Sequence, residues 1–503
     1  MDVLSSLALG FGVALSLKSL AYCFLGVLLG TLIGVLPGVG PLVTIAMLLP
    51  ITFSLDPVSS LIMLAGIFYG AQYGGSTTAI LVNMPGEASS AVTAIDGYQM
   101  ARQGRAGPAL ATAAIASFVA GILSSLMVAI FGPLVGKWAL EFGATEYFSL
   151  MLMGLVFSAV LAHGDLIKSL AMVVIGLMLG IVGTDVTSGI PRFSFGLPEL
   201  LDGVGFTVIA VGLFAIAEIV LNVARVEKVA VFSTDVKNLM PTWADIKAIT
   251  RPTLRGTALG AFFGALPGIT ASIASFSAYM LEKKLARDPS RFGQGAIEGV
   301  AAPEAANNAA AQTHFIPTLT LGIPATAVMA LMLGALTMQG IQPGPEVMTS
   351  KPELFWGLVA SMFVGNVLLL VLNLPLVGLW ARLTRVPYRW LFPSIMMFAA
   401  LGNYSLNNSA MDVYLCAGVG LLGYVFAKLE CHPAPLILGF VLGPMLEENL
   451  RRALLMSDGS FTDFVTRPIS ATFLLVTALL IIAMVLPSIR RRREQATADG
   501  GTD

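Results

Sequence analysis

The chain is predicted to be an all-α polytopic membrane protein of roughly twelve transmembrane helices, in two inverted-topology repeats with broken helices or re-entrant hairpins. Three observations carry this prediction. Of 503 residues, 56% are hydrophobic and only 11% charged, with mean hydropathy +0.85, whereas ordinary soluble domains carry about 25% charge. Apolar stretches of spanning length, about 20 residues, follow one another nearly end to end, for example around 61–83, 109–135, 203–224, 354–380 and 470–487. The phrase Gly30-x-x-x-Gly34-x-Leu36-Pro37-Gly38 returns 230 residues later as Gly260-x-x-x-Gly264-x-Leu266-Pro267-Gly268. In lipid the backbone must satisfy itself, and segments of this length do so as helices.

The N-terminus, Met1-Asp2-Val3-Leu4-Ser5, has its first basic residue at Lys18 and no small-residue cleavage site, so residues 1–18 read as a retained N-terminal segment. A first repeat spans 19–224. Residues 225–255 hold Arg225, Lys228, Lys237, Lys247, Arg251 and Arg255 against three acids, which is too polar to span and marks a cytoplasmic linker. The second repeat spans 256–466 and a last transmembrane helix 467–489. The tail 490–503 opens on Arg490-Arg491-Arg492-Arg493, a topology anchor facing the cytoplasm and membrane lipid rather than a nucleic-acid patch, and ends in a disordered composition. Cys23, Cys416 and Cys431 show no paired spacing, so neither a disulfide framework nor a thiolate metal site follows. The net charge of −1 averages over unlike loops and says nothing of partners.

Loop charge orients the repeats. After the first Leu-Pro-Gly element, Leu49 to Pro57 has no Lys or Arg, whereas the equivalent loop holds Lys283, Lys284, Arg287 and Arg291. Further along the bias reverses, with Arg102 and Arg105 in the first half against Lys351 beside Glu346 and Glu353 in the second. Equivalent loops of opposite bias belong on opposite membrane faces, which is the signature of inverted repeats.

Proline and glycine interrupt helices, and paired breaks in the two halves point to a transporter's binding site. A second pair of motifs follows the Leu-Pro-Gly elements, YGAQYGGSTTAILVNMPGEASSAV (69–92) and APEAANNAAAQTHFIPTLTLGIPATAV (302–328), with breaks at Pro85-Gly86 and Pro324. Aligning them beyond Pro85 and Pro324 takes a gap. Both are rich in hydroxyls and amides and nearly free of Lys and Arg. That chemistry suits an organic anion bound without a permanent cation, on freed N–H groups at helix ends and on side-chain donors. The candidate substrate ligands are Ser76, Thr77, Thr78 and Asn83 in one half, and Asn307, Asn308, Gln312, Thr313, Thr318 and Thr320 in the other. Pro37, Gly38, Gly40, Pro267, Gly268, Thr270 and Ser272 would close the site, and carbonyls freed near Gly38 and Gly268 would hold a sodium ion. The plainer reading of any single small residue here is close helix packing. Glu87, Glu298 and Glu304 lie within or beside the motifs and suit a coupling cation, a proton or a helix cap better than an anionic substrate. Asp165, Asp185, Asp412 and Glu430 lie near span ends, and His314 is the one histidine inside a motif.

The strings GVLPGVGP, YGGSTTAILVNMPGEASSAV, GALPGITAS and PEAANNAAAQTHFIPTLTLGIP, in that order, resemble the large membrane subunit of the tripartite tricarboxylate transporters, the TctA family, from about residue 20 to about 490. The chain departs from that pattern at Ala325, where a glycine is expected after the proline. The resemblance implies a bacterial inner-membrane importer of organic carboxylates. Its partners would be a small membrane subunit of about four spans and a periplasmic solute-binding protein; its driving force would be a sodium or proton gradient, with no other cofactor. No Walker-type loop contradicts this, and no Gly-x-Ser-x-Gly or His-Glu-x-x-His motif supports a membrane enzyme. A channel or structural membrane subunit is the remaining alternative, and paired breaks fit alternating access better.

Overall fold

The computed structural model describes residues 3–36, 40–162, 165–185, 187–224, 239–383 and 388–485. Pro37, Gly38, His163, residues 225–238 of the expected linker and the 490–503 tail lie outside them. About 78% of the described residues are helical. The one strand pairing among the described residues is a short hairpin, Gly183–Thr184 against Pro191–Arg192. Four described helices are long and apolar enough to cross a membrane: Leu17–Gly34, Ala106–Ala139, Pro352–Asn373 and Ala410–Lys428. Shorter apolar helices accompany them, including Pro41–Phe53 and Ala327–Met338, each of which starts just after a break. Large apolar side chains cover outward faces, such as Leu126, Ile130, Phe131 and Leu134 on one helix and Leu475, Leu479 and Ile482 on the last. Surfaces of that kind call for lipid rather than water. This is a multi-pass helical membrane protein.

Two helices form the centre. The first motif helix, Pro57–Val82, starts on Asp56, whose carboxylate accepts from the Ser59 N–H, with Pro57 in its first turn. The second motif helix, Glu298–Thr313, is interrupted at His314 and continues as Phe315–Thr320. Every residue from Ser59 to Val82 and from Gly299 to Thr313 is buried. A helix buried all round sits inside a larger bundle, and the polar groups it carries must meet one another there.

Each motif helix lies against a glycine helix in the same register. On Leu17–Gly34, a Cβ at Gly26, Gly30 or Gly34 would meet the carbonyl oxygen of Met63, Ile67 or Ala71 at 2.3–2.4 Å. On Trp243–Gly264, a Cβ at Gly256, Gly260 or Gly264 would meet that of Ala302, Ala306 or Ala310 at 2.2–2.5 Å. Contacts this short admit only glycine, which lets the two backbones touch. The correspondence has a constant offset of 239 residues, from Met63 to Ala302 through to Pro85 and Pro324. The same offset pairs Asn83 with Gly322, and both are left-handed, at φ 56° and 70°. The two motifs therefore align without the gap expected from their composition; the extra residues fall in the loop 286–297, which is longer than its counterpart 54–56.

The helix that carries Gly256 begins at Trp243, within the expected linker 225–255. Thr242 and Asp245 form a capping box, and Lys247, Arg251 and Arg255 ride on the helix that follows.

The halves also exchange contacts at their loops. The Gln103 side chain donates to the Gln294 carbonyl at 2.8 Å, Arg105 pairs with Asp245 at 2.8 Å, and Asp96 is held by the 293–296 turn. In return Gln339, the counterpart of Gln103, reaches the Thr52 and Leu55 carbonyls at 3.4 Å. Each half thus grips the other half's loop, and loops of like charge bias come together.

Candidate functional site

The breaks within each half converge. In the first half, a Cβ at Gly86 would lie 2.7 Å from the Gly75 Cα and 3.0 Å from the Gly34 carbonyl oxygen, and one at Gly40 would lie 3.0 Å from the Gly86 carbonyl oxygen. Gly86 is thus required by close approach, not by its backbone angle. In the second half, the Gly268 N–H, at φ 84°, donates to the Ala325 carbonyl at 3.0 Å. Ala325 is not left-handed, so alanine fits where the sequence pattern led to an expectation of glycine. His314 holds the same break through Nε2, 3.1 Å from the Ile269 carbonyl oxygen. The Thr270 hydroxyl and His314 Nδ1 are buried there without a partner among the described residues.

Between the motif helices lies a polar cluster drawn from both halves. Glu304, 1% exposed, is its centre. Ser76 on the first motif helix lies 2.8 and 2.9 Å from its two oxygens, Thr93 on Ala91–Arg102 donates at 2.5 Å, and Ser117 on Ala106–Ala139 donates at 3.2 Å. One helical turn on, Asn308 donates to Ser117 at 2.7 Å and to the Glu304 carbonyl at 3.1 Å. Asn307 donates to Glu87 at 2.9 Å, just past the Pro85-Gly86 break, and accepts from Gln72 at 3.4 Å. Ser89 donates to the same Glu87 oxygen. No ion pair reaches Glu87 or Glu304 among the described residues.

The structure thus brings together Ser76, Asn307 and Asn308, with Glu87 and Glu304 among them. Of these expected anion donors, Ser76 and Asn307 are engaged by the chain's own carboxylates, and Asn308 by the Ser117 hydroxyl and the Glu304 backbone carbonyl. The other candidates are placed differently. Thr78, Thr313, Thr318 and Thr320 bond back to carbonyls of their own helices, as does Thr77, which also lines the cavity beside Glu304. Gln312 meets Ser125 at 3.4 Å. Asn83 is exposed and caps its helix in the left-handed conformation, a turn role that its place two residues before Pro85 foreshadows. Ser272 is half-buried at the start of Ala271–Leu285. Gln72, Thr93 and Ser117 were missed. Each is a single polar residue on a helix, and only the fold shows which of the many such residues face Glu304.

A cavity of about 20 Å³ adjoins Glu304, lined among others by Tyr73, Ser76, Thr77, Ser117 and Asn373. That is room for about one water molecule and not for a carboxylic acid substrate, so the cluster is closed in this conformation. Among the described residues no group of three or more His, Cys, Asp or Glu is arranged to hold a metal ion.

The family profile described as "Tripartite tricarboxylate transporter TctA family" matches residues 20–438. An Agrobacterium vitis protein, named only as an uncharacterized 52.8 kDa protein in the TAR-I ttuC' 3' region, is 57% identical over 495 residues, 98% of this chain and 99% of that protein. A second from the same organism, named as an uncharacterized protein in the TAR-II ttuC' 3' region, is 58% identical over 236 residues, 47% of this chain and 98% of its own length. No solved structure matches the chain. A profile match across most of the sequence, on the very motifs that build the closed polar cluster, decides the assignment: the chain belongs to the tripartite tricarboxylate transporter TctA family.

Proposed function

We propose that the protein is the large permease subunit of a secondary importer for organic di- or tricarboxylates in the bacterial inner membrane. It would work with a small membrane subunit and a periplasmic solute-binding protein, driven by a sodium or proton gradient. The observation that carries this reading is the cluster of Ser76, Asn307, Asn308, Glu87 and Glu304, built across the two halves beside converging helix breaks. Transporter sites lie at such repeat interfaces, where unwound backbone and half-helix ends supply the ligands. The reciprocal grip of Gln103 and Gln339 supports a pseudo-two-fold arrangement, and the pairing of basic with basic loops supports its inversion about an axis in the membrane plane. Roughly twelve spans follow if the broken segments are counted as parts of spans or re-entrant hairpins. Sodium near Gly38 and Gly268 would satisfy carbonyls at the breaks.

The test is uptake into proteoliposomes holding this chain and its small subunit, with the binding protein outside and a panel of radiolabelled di- and tricarboxylates. Concentrative uptake of at least one under an imposed sodium or proton gradient is expected. Flux that only equilibrates, whatever the gradient, would instead make the chain a channel.

A further inference from the structure

We propose that the cavity beside Glu304 is a sodium site, and that sodium bound there is the coupling ion; the second clause rests on the carrier reading above, while the first does not. Three features of the cavity argue for a cation. It contains an ionisable carboxylate, 1% exposed and unmatched by any described basic residue. A buried carboxylate without a countercharge is expensive, and the cost is removed by a cation or a proton.

The second feature is the orientation of the surrounding hydroxyls. Tyr73 donates to the Ala114 carbonyl at 3.2 Å, Thr77 to the Tyr73 carbonyl at 3.3 Å, and Ser76 has the Gln72 carbonyl within 3.2 Å. Tyr73 and Thr77 each have a backbone acceptor for their hydrogen, and Ser76 gives its hydrogen to the Glu304 carboxylate at 2.8 Å, which leaves hydroxyl oxygen lone pairs for the cavity. Ser117 takes the Asn308 amide hydrogen on its oxygen. The third feature is independent of the carboxylate. Asn373, on the Pro352–Asn373 helix, lines the same cavity at 4% exposure; its amide nitrogen donates to the Leu369 carbonyl at 2.9 Å, and its Oδ1 has no partner among the described residues. An unpaired buried carbonyl oxygen beside a carboxylate and hydroxyl lone pairs is an oxygen-only ligand set of the type hard cations select. The size of the cavity separates the ligands: about 20 Å³ admits one small ion and excludes the organic substrate.

The ligands come from both halves, Ser76, Thr77 and Ser117 from the first and Glu304 and Asn373 from the second. An ion there bridges the two and favours the closed arrangement in which its ligands meet.

The experiment is equilibrium binding of 22Na+ to the purified chain in detergent, without substrate, for the native protein and for Glu304→Gln, Asn373→Ala and Ser117→Ala, each checked for monodispersity and melting temperature. Saturable sodium binding is expected, weakened at least tenfold by Glu304→Gln and several-fold by Asn373→Ala. Asn373→Ala keeps the assay decisive if Glu304→Gln does not fold, because it removes a ligand without disturbing the Glu304 hydrogen bonds. Sodium binding of native strength in folded Glu304→Gln or in Asn373→Ala overturns the site. So does the absence of saturable sodium binding in the native chain, and uptake driven by a pH gradient alone would then make Glu304 a proton carrier. Sodium binding that obeys these variants without any carboxylate uptake would leave the site standing and remove the carrier reading instead.

Discussion

Asp96 offers the sharpest test of how the halves are joined. Its Oδ1 accepts three backbone N–H groups of the facing turn, from Gly293 at 2.9 Å and from Gly295 and Ala296 at 2.8 Å, and its Oδ2 accepts the Tyr279 hydroxyl at 2.9 Å. Replacing Asp96 by alanine strands all four donors. Gly293 and Gly295 are half-buried, so water can take over there, but Ala296 and Tyr279 are buried. A stranded buried donor costs about 1–3 kcal/mol, so the two together cost roughly 2–6 kcal/mol. With an unfolding entropy of about 2.1 cal/mol/K per residue, a chain of 503 residues loses about 1 °C per kcal/mol, and Asp96→Ala should melt roughly 2–6 °C lower. Asp96→Asn should lose less, because its amide oxygen keeps the three N–H groups and its NH2 can donate to Tyr279. Gly299→Ala should imitate Asp96→Ala, since a Cβ there would lie 2.2 Å from Oδ2. Thermal unfolding in detergent at one fixed scan rate measures all three. Asp96→Ala melting within a degree of the native chain would refute the reasoning.

Asn307→Ala removes the side-chain amide that steadies Glu87, and should weaken uptake at low substrate about ten- to hundred-fold, the worth of a charge-assisted hydrogen bond of roughly 1.5–3 kcal/mol; an unchanged apparent affinity would reduce Asn307 to packing. With the native cysteines replaced, a cysteine at Ser54 should react with an impermeant thiol reagent only from the periplasm and one at Arg287 only from the cytoplasm, and labelling of both from one face would end the inverted-repeat argument. Gly30→Val and Gly260→Val would drive side chains into carbonyl oxygens now 2.3 and 2.2 Å from an added Cβ, so both should cut the yield of folded protein sharply, whereas Gly12→Val, which faces open space, should not. Gly268→Val places a branched residue at φ 84° and should raise the sodium concentration needed for half-maximal uptake; an unchanged sodium dependence would remove that break from the coupling path.

The membrane class, the paired breaks and the two polar motifs that meet in the structure were legible in the sequence because each leaves a local mark: hydropathy, a repeated Leu-Pro-Gly phrase, amides in an alanine run. Close helix packing, the plainer reading of the small residues, is what Gly30 and Gly260 do against the Ile67 and Ala306 carbonyls. Two kinds of information were not legible. Alignment of the motifs failed because Gln72 and Ser76 face Ala311 and Phe315 at equivalent positions, so the residues diverged while the carbonyl-on-glycine register held. The donors to Glu304 were hidden because Thr93 and Ser117 belong to other helices, and an isolated hydroxyl in an apolar run looks the same whether it bonds its own helix, as Thr318 does, or a carboxylate from the opposite half.

The arrangement of charges also constrains how a carboxylate can be carried. Asn307 and Ser76 are donors that suit an anion, yet here Glu87 and Glu304 occupy them. A substrate carboxylate brought against these residues would face two carboxylates across a low-dielectric gap, where repulsion is far stronger than in water. Only a positive charge placed first removes that barrier. Glu304 lies on the second motif helix and its hydroxyl partners lie on three helices of the first half, so neutralising it changes the attraction between halves as well as the affinity for an anion. One event would therefore govern both binding and closure, which is what coupling requires. On this logic sodium should bind before substrate, and carboxylate affinity should rise with sodium concentration until the Glu304 cavity is saturated. Substrate binding with equal affinity with and without sodium, at constant pH, would separate the two events and break the coupling argument.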